Sequence, residues 1–120
     1  MNVLQNSFLR LGVAFVLALS TCGCKHLPPS KPLSALTPAE QQGHQIFQER
    51  CYRCHNDRLD EDRSGPSLFG LTRKPYLPSG APSSDERITA TILHGRNMMP
   101  AQSDLSDQEL ADLLRYLHTL

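Results

Sequence analysis

The sequence predicts a small all-α domain behind an export leader and a proline-rich spacer. Two Ser/Thr-led capping boxes mark helix starts at Thr37 and Ser106. The residues after them repeat their apolar positions at helical spacing. Between those helices lies a pair of thiols beside an imidazole, Cys51-Tyr52-Arg53-Cys54-His55, in a chain with no tryptophan and few aromatics. A side-chain core of that composition is thin for a 120-residue chain, and small domains of this kind lean on a metal, disulfide or prosthetic group.

Residues 1–24 read as an export signal. Arg10 is the single positive charge ahead of a short apolar run, Leu11 to Leu19. That run is shorter than the roughly 20 apolar residues a membrane-spanning helix needs. Leu19-Ser20-Thr21-Cys22 resembles a bacterial lipobox, which makes Cys22 the expected lipidation site. Cys24 offers a second frame but lacks a leucine three residues upstream. Ordinary soluble secretion is the competing reading. Residues 25–36, with Pro28, Pro29 and Pro32, are expected to form an extended tether that lets the domain stand off a membrane.

The domain is expected over residues 37–120. Thr37 caps a first helix with Pro38 at its first position and Glu40 completing the box; it runs to Arg50. Ala39, Gly43, Ile46 and Phe47 share a face. Residues 56–63 are polar and charged and read as a solvated loop. Gly65-Pro66-Ser67-Leu68-Phe69-Gly70 is a turn around two apolar residues, and Leu71 to Ser83 an irregular loop. Ser84 caps a short helix with Asp85 and Glu86 in its first turn, Ile88 and Ile92 on one face and Gly95 as its stop. Arg96-Asn97-Met98-Met99-Pro100 is a turn carrying two thioethers. In the last helix Leu110, Leu113, Leu114 and Leu117 form an apolar stripe flanked by Tyr116, and Leu105 can staple against Leu110.

Cys51-Tyr52-Arg53-Cys54-His55 is the c-type haem attachment signature: each thiol can add to a haem vinyl group, and the histidine can ligate the iron. A zinc half-site and a thioredoxin-like redox pair use similar spacings. Bacteria join haem to this motif outside the cytoplasm, so leader and motif support each other and disfavour a cytosolic redox pair. With the leader removed or lipidated, the body holds no second thiol pair for a disulfide framework. A carbonyl beside the histidine, such as that of Pro66, can accept its Nδ1–H and leave Nε2 for iron. Lys and Arg number 12 and Asp and Glu 12, so nothing points to nucleic acid as a partner.

The order helix, CxxCH, GPxLxG, short helix, Met-Pro, amphipathic helix resembles the class I mono-haem c-type cytochromes, in particular short bacterial ones, from Thr37 to Leu120. The resemblance implies a small cytochrome c fold of three to four helices around one covalently bound haem, the first and last helices crossing where Gly43 meets Tyr116. It implies thioethers at Cys51 and Cys54, proximal ligation by His55 oriented by the Pro66 carbonyl, and distal ligation by Met99, immediately before Pro100. Met98 is the local rival for the distal site, and His94 would give a bis-histidine site. His26, His44 and His118 read as surface histidines. Arg73, Tyr76 and Arg96 are candidates for haem propionates. The implied function is one-electron transfer without a small-molecule substrate, by a lipid-anchored carrier on the periplasmic side of a bacterial membrane, meeting redox partner proteins transiently. The alternatives are a cytochrome c subunit of a dehydrogenase or reductase complex, a haem-based sensor, and a non-haem Cys/His metal module.

Overall fold

A computed structural model describes residues 26–120; the leader, with Cys22 and Cys24, lies outside the described residues. Three α-helices organise the described chain: α1 (Pro38–Arg50), α2 (Asp85–His94) and α3 (Asp107–Leu117). A 3-10 turn, Leu33–Ala35, precedes α1.

Both expected capping boxes are formed. The Thr37 hydroxyl accepts from the Glu40 amide at 3.3 Å while the Thr37 amide donates to the Glu40 carboxylate at 2.7 Å. Ser106 and Glu109 repeat this at α3, at 3.3 and 2.8 Å. Each box satisfies two amides that a helix start otherwise leaves unpaired, worth about 1 kcal/mol per cap. Ser84 accepts from the Arg87 amide at the head of α2, and Gly95, at a positive φ of 72°, ends it.

The core joins α1 to α3. Phe47, Leu113, Tyr116 and Leu120 are its largest fully buried side chains, and Ile46, Ile88, Ile92, Leu105 and Leu117 are among those packed with them. α1 crosses α3 at Gly43. A Cβ there would lie 2.0 Å from the Asp112 carbonyl oxygen and 2.8 Å from Tyr116 Cβ, so only glycine permits the approach. The Phe47 and Tyr116 rings meet at 5.8 Å beside the crossing, and the His44 ring lies 4.9 Å from Tyr116 on the other side.

The proline-rich segment departs from its expected role as a spacer. It is extended, but from Leu27 onward it is packed against the body as a strap. The Lys31 amide donates to the Thr119 carbonyl at 2.8 Å, and Lys31 Nζ meets the Glu40 carboxylate at 2.6 Å. Leu36 is buried in the core. Arg73 Nη1 donates to the Pro28 carbonyl at 2.7 Å, and Arg58 Nη2 donates to the Lys31 carbonyl. The prolines explain both behaviours: they exclude an α-helix, and outside its 3-10 turn the segment leaves carbonyls free for arginines of the body.

Replacing Gly43 with alanine should force the α1–α3 crossing apart and lower stability by about 1–3 kcal/mol, the usual cost of overpacking. Urea unfolding of the loaded protein measures it; an unchanged midpoint would contradict the close approach.

Candidate functional site

The CxxCH segment is a continuation of α1. The Cys51 amide donates to the Phe47 carbonyl at 2.8 Å, and the Cys54 and His55 amides both donate to the Cys51 carbonyl at 3.0 Å. The chain therefore makes one more helical turn, which gathers two thiols and an imidazole within a few ångströms of backbone. Both cysteines are free and half-buried. Burial pushes the Cys51 thiol up to about 11, with Arg50 only partly offsetting it. Cys51 is thus held as a neutral thiol against the apolar core rather than as an exposed reactive thiolate.

The Gly65-Pro66 turn closes on that helical turn. The Gly65 amide donates to the Cys54 carbonyl at 2.8 Å, and His55 Nδ1 lies 2.7 Å from the Pro66 carbonyl oxygen. A carbonyl can only accept, so Nδ1 carries the proton and Nε2 keeps its lone pair. Gly65 lies directly against the ring: a Cβ there would come within 2.6 Å of His55 Cε1. Arg63 braces the outside of the motif, with Nη1 donating to the Tyr52 carbonyl at 2.8 Å and its guanidinium 4.3 Å from the Tyr52 ring centroid.

The two adjacent methionines part company. Arg96 and Met99 exchange both backbone hydrogen bonds, at 3.1 and 2.9 Å, across a turn whose Asn97 has a positive φ of 52°. The tight turn sends the neighbours in opposite directions. Met98 is 97% exposed, whereas Met99 is half-buried and packs on the core. A Cβ at Gly95 would come within 2.5 Å of the Met99 carbonyl, so the turn needs its glycine.

These features match known proteins. The family model described as cytochrome C oxidase, cbb3-type, subunit III matches residues 38–117. The chain belongs to the cytochrome c family. A cytochrome c-553-like protein of Synechocystis is 34% identical over 86 residues, covering 72% of this chain and 73% of the relative. A cytochrome c6-like protein of Nostoc is 37% identical over 91 residues, covering 71% and 78%. A solved cytochrome c from Rhodothermus marinus has the same fold, with a TM-score of 0.54 at 24% identity over 80% of this chain and 86% of that one.

Cytochromes c transfer electrons with haem, and the donor set of this cytochrome c domain fits that group. The thiols are free, the imidazole tautomer is fixed, and one thioether faces inward. Nε and Nη2 of Arg73 and Nη1 of Arg58 are buried with no acceptor among the described residues. Haem carboxylates are acceptors of the charge these donors need. His94, Arg96 and Tyr76 are exposed, and so is His26. His118 pairs with Asp85 at 2.9 Å, and His44 bonds Gln48 at 3.2 Å. Among the described residues no group of three or more His, Cys, Asp or Glu stands together to hold a metal ion.

The stretch after His55 is an exposed loop from Leu59 to Arg63, as its composition suggested, but not at its start. Asn56 and Asp57 are buried. The Asp57 carboxylate accepts from the Tyr116 hydroxyl, and Asn56 Nδ2 donates to the Glu61 carbonyl at 2.6 Å. Burial first, and then Asp57, push the Tyr116 hydroxyl well above the usual phenol range, so it stays a donor. Ser67 finishes the loop, its hydroxyl donating to the Leu59 carbonyl at 2.7 Å and its amide to Asp62 at 2.8 Å. The available signal was Tyr116 itself: a tyrosine on a buried stripe needs a partner for its hydroxyl.

Gly65→Ala should displace the His55 ring and cut the yield of haem-loaded protein several-fold. Pro66→Ala, which keeps the accepting carbonyl, should largely spare it. Pyridine haemochrome absorbance per protein mass reads both; equal yields for the two variants would sink this account of the turn.

Proposed function

We propose that this cytochrome c domain carries single electrons on one haem c, bonded through Cys51 and Cys54 and ligated by His55 and Met99, while a lipid on Cys22 holds it at the periplasmic side of a bacterial membrane. The observation that carries the reading is the 2.7 Å contact from His55 Nδ1 to the Pro66 carbonyl, on the same turn as both thiols. The haem, when bound, supplies a one-electron change at its iron. The protein's own residues do the rest. Pro66 holds the His55 tautomer and ring orientation that leave Nε2 as a ligand. Met99 brings a neutral, soft thioether, which favours the reduced state relative to a second imidazole. Two protein ligands complete the metal's coordination, which suits electron transfer better than substrate or gas binding. Met98, fully turned to solvent, is a poor rival.

Redox partners are expected to dock briefly through small interfaces. The export leader and the lipobox-like Leu19-Ser20-Thr21-Cys22 support the anchored location. The match to an oxidase-subunit family model favours a second reading in which the domain is a permanent member of an oxidoreductase complex. Co-purification at fixed stoichiometry would select that reading, and loss of the partner on dilution would select the mobile carrier.

Two measurements test the ligands and the anchor. Met99→Ala should abolish the far-red charge-transfer band that reports an iron–thioether bond in the oxidised protein, while Met98→Ala should keep it. The opposite pattern would move the ligand to Met98, and rapid carbon monoxide binding by the wild type would favour a sensor. Cys22→Ser should release the protein from membranes; unchanged retention would reject that site.

A further inference from the structure

We infer that the strap turns one particular end of the domain, formed by Leu27, Phe69 to Lys74 and Asp60, toward the lipid surface and keeps it there. The inference rests on the proposed anchor at Cys22 and goes beyond it by assigning an orientation. Its basis is where the packed chain begins. Leu27 is already seated on the body: a Cβ at Gly70, where φ is +68°, would lie 2.6 Å from Leu27 Cδ1. The next residue is held too, since the Pro28 carbonyl accepts from Arg73 at 2.7 Å. Lys31 fixes the strap at three further points, on Thr119, Glu40 and Arg58.

Chain length then limits the reach. Fully extended backbone spans at most about 3.4 Å per residue, so the step from Cys22 to Leu27 covers no more than ~17 Å. A free spacer running to Thr37 would cover ~50 Å on the same arithmetic. An anchored Cys24 shortens the step further. The domain therefore cannot swing freely around its lipid. The Leu27 end must lie near the headgroups, with Lys74 beside it; the Lys74 ammonium pairs with Asp60 at 2.9 Å and its side chain is 36% exposed. Partners within reach are those standing at the same bilayer, or soluble proteins that approach the faces turned away from it.

Lysine footprinting of the haem-loaded full chain tests this. Lys74 is the sole lysine beyond the leader and the strap. Acetylation is read by mass spectrometry on phosphatidylcholine–phosphatidylglycerol vesicles, for the wild type, for the released Cys22→Ser form, and for a variant with a ten-residue Gly/Ser insert between His26 and Leu27. Lys74 should be modified several-fold more slowly in the vesicle-bound wild type than in the released form. The insert should restore the rate without reducing retention. Equal Lys74 rates in bound and released protein would overturn the orientation while leaving the anchor intact. Protection that persists in the bound insert variant would overturn the strap as its cause. A wild type that does not stay on vesicles would reject the anchor, and the orientation with it.

Discussion

The approach of α1 to α3 at Gly43 is the contact from which the rest of the site takes its position. It sets the axis of α1, and the CxxCH turn is the C-terminal extension of that same axis. Tyr116, one side of the crossing, also reaches Asp57, two residues beyond His55. The imidazole is thereby located from both directions along the chain: upstream by a helix that cannot shift, downstream by a buried carboxylate. Pro66 then needs only to orient the ring, not to place it. Precision at a ligand is commonly obtained in this way, from packing of the supporting elements first and hydrogen bonds to the ligand second.

Much of this was legible in the amino-acid order. The caps at Thr37, Ser84 and Ser106 and the stop at Gly95 work through neighbours within four residues, so local reading finds them. Gly43 stood out because glycine costs roughly 1 kcal/mol inside a helix and demands a reason. The motif residues Cys51, Cys54 and His55 are close in sequence, and Gly65-Pro66 is a compact signal. That Met98 faces solvent while Met99 packs on the core was visible only in the turn.

What escaped sequence reading was contact across long separations. Asp57 was hidden in a charged run because its partner is 59 residues away. The strap looked like a linker because prolines exclude a helix, and the inference from no helix to no packing does not hold. A segment whose internal hydrogen bonds are confined to one 3-10 turn keeps its other carbonyls to offer, and three separated parts of the body meet it: Arg58 and Arg73 take carbonyls, while Thr119 receives an amide. Arg58, one of the charges that made residues 56–63 look solvated, is among the groups that hold it.

The strap also decides how such a domain can be shed from a surface. Leu36 belongs to the hydrophobic core although it precedes the first α-helix. A protease cutting between Lys31 and Leu36 would detach the acceptors of Arg58 and Arg73 and leave Leu36 near a free end. On the proposed anchor at Cys22, release that spares the strap requires a cut between Cys22 and Leu27. Soluble and surface-bound pools could then share one intact electron carrier, differing by a cut of very narrow address.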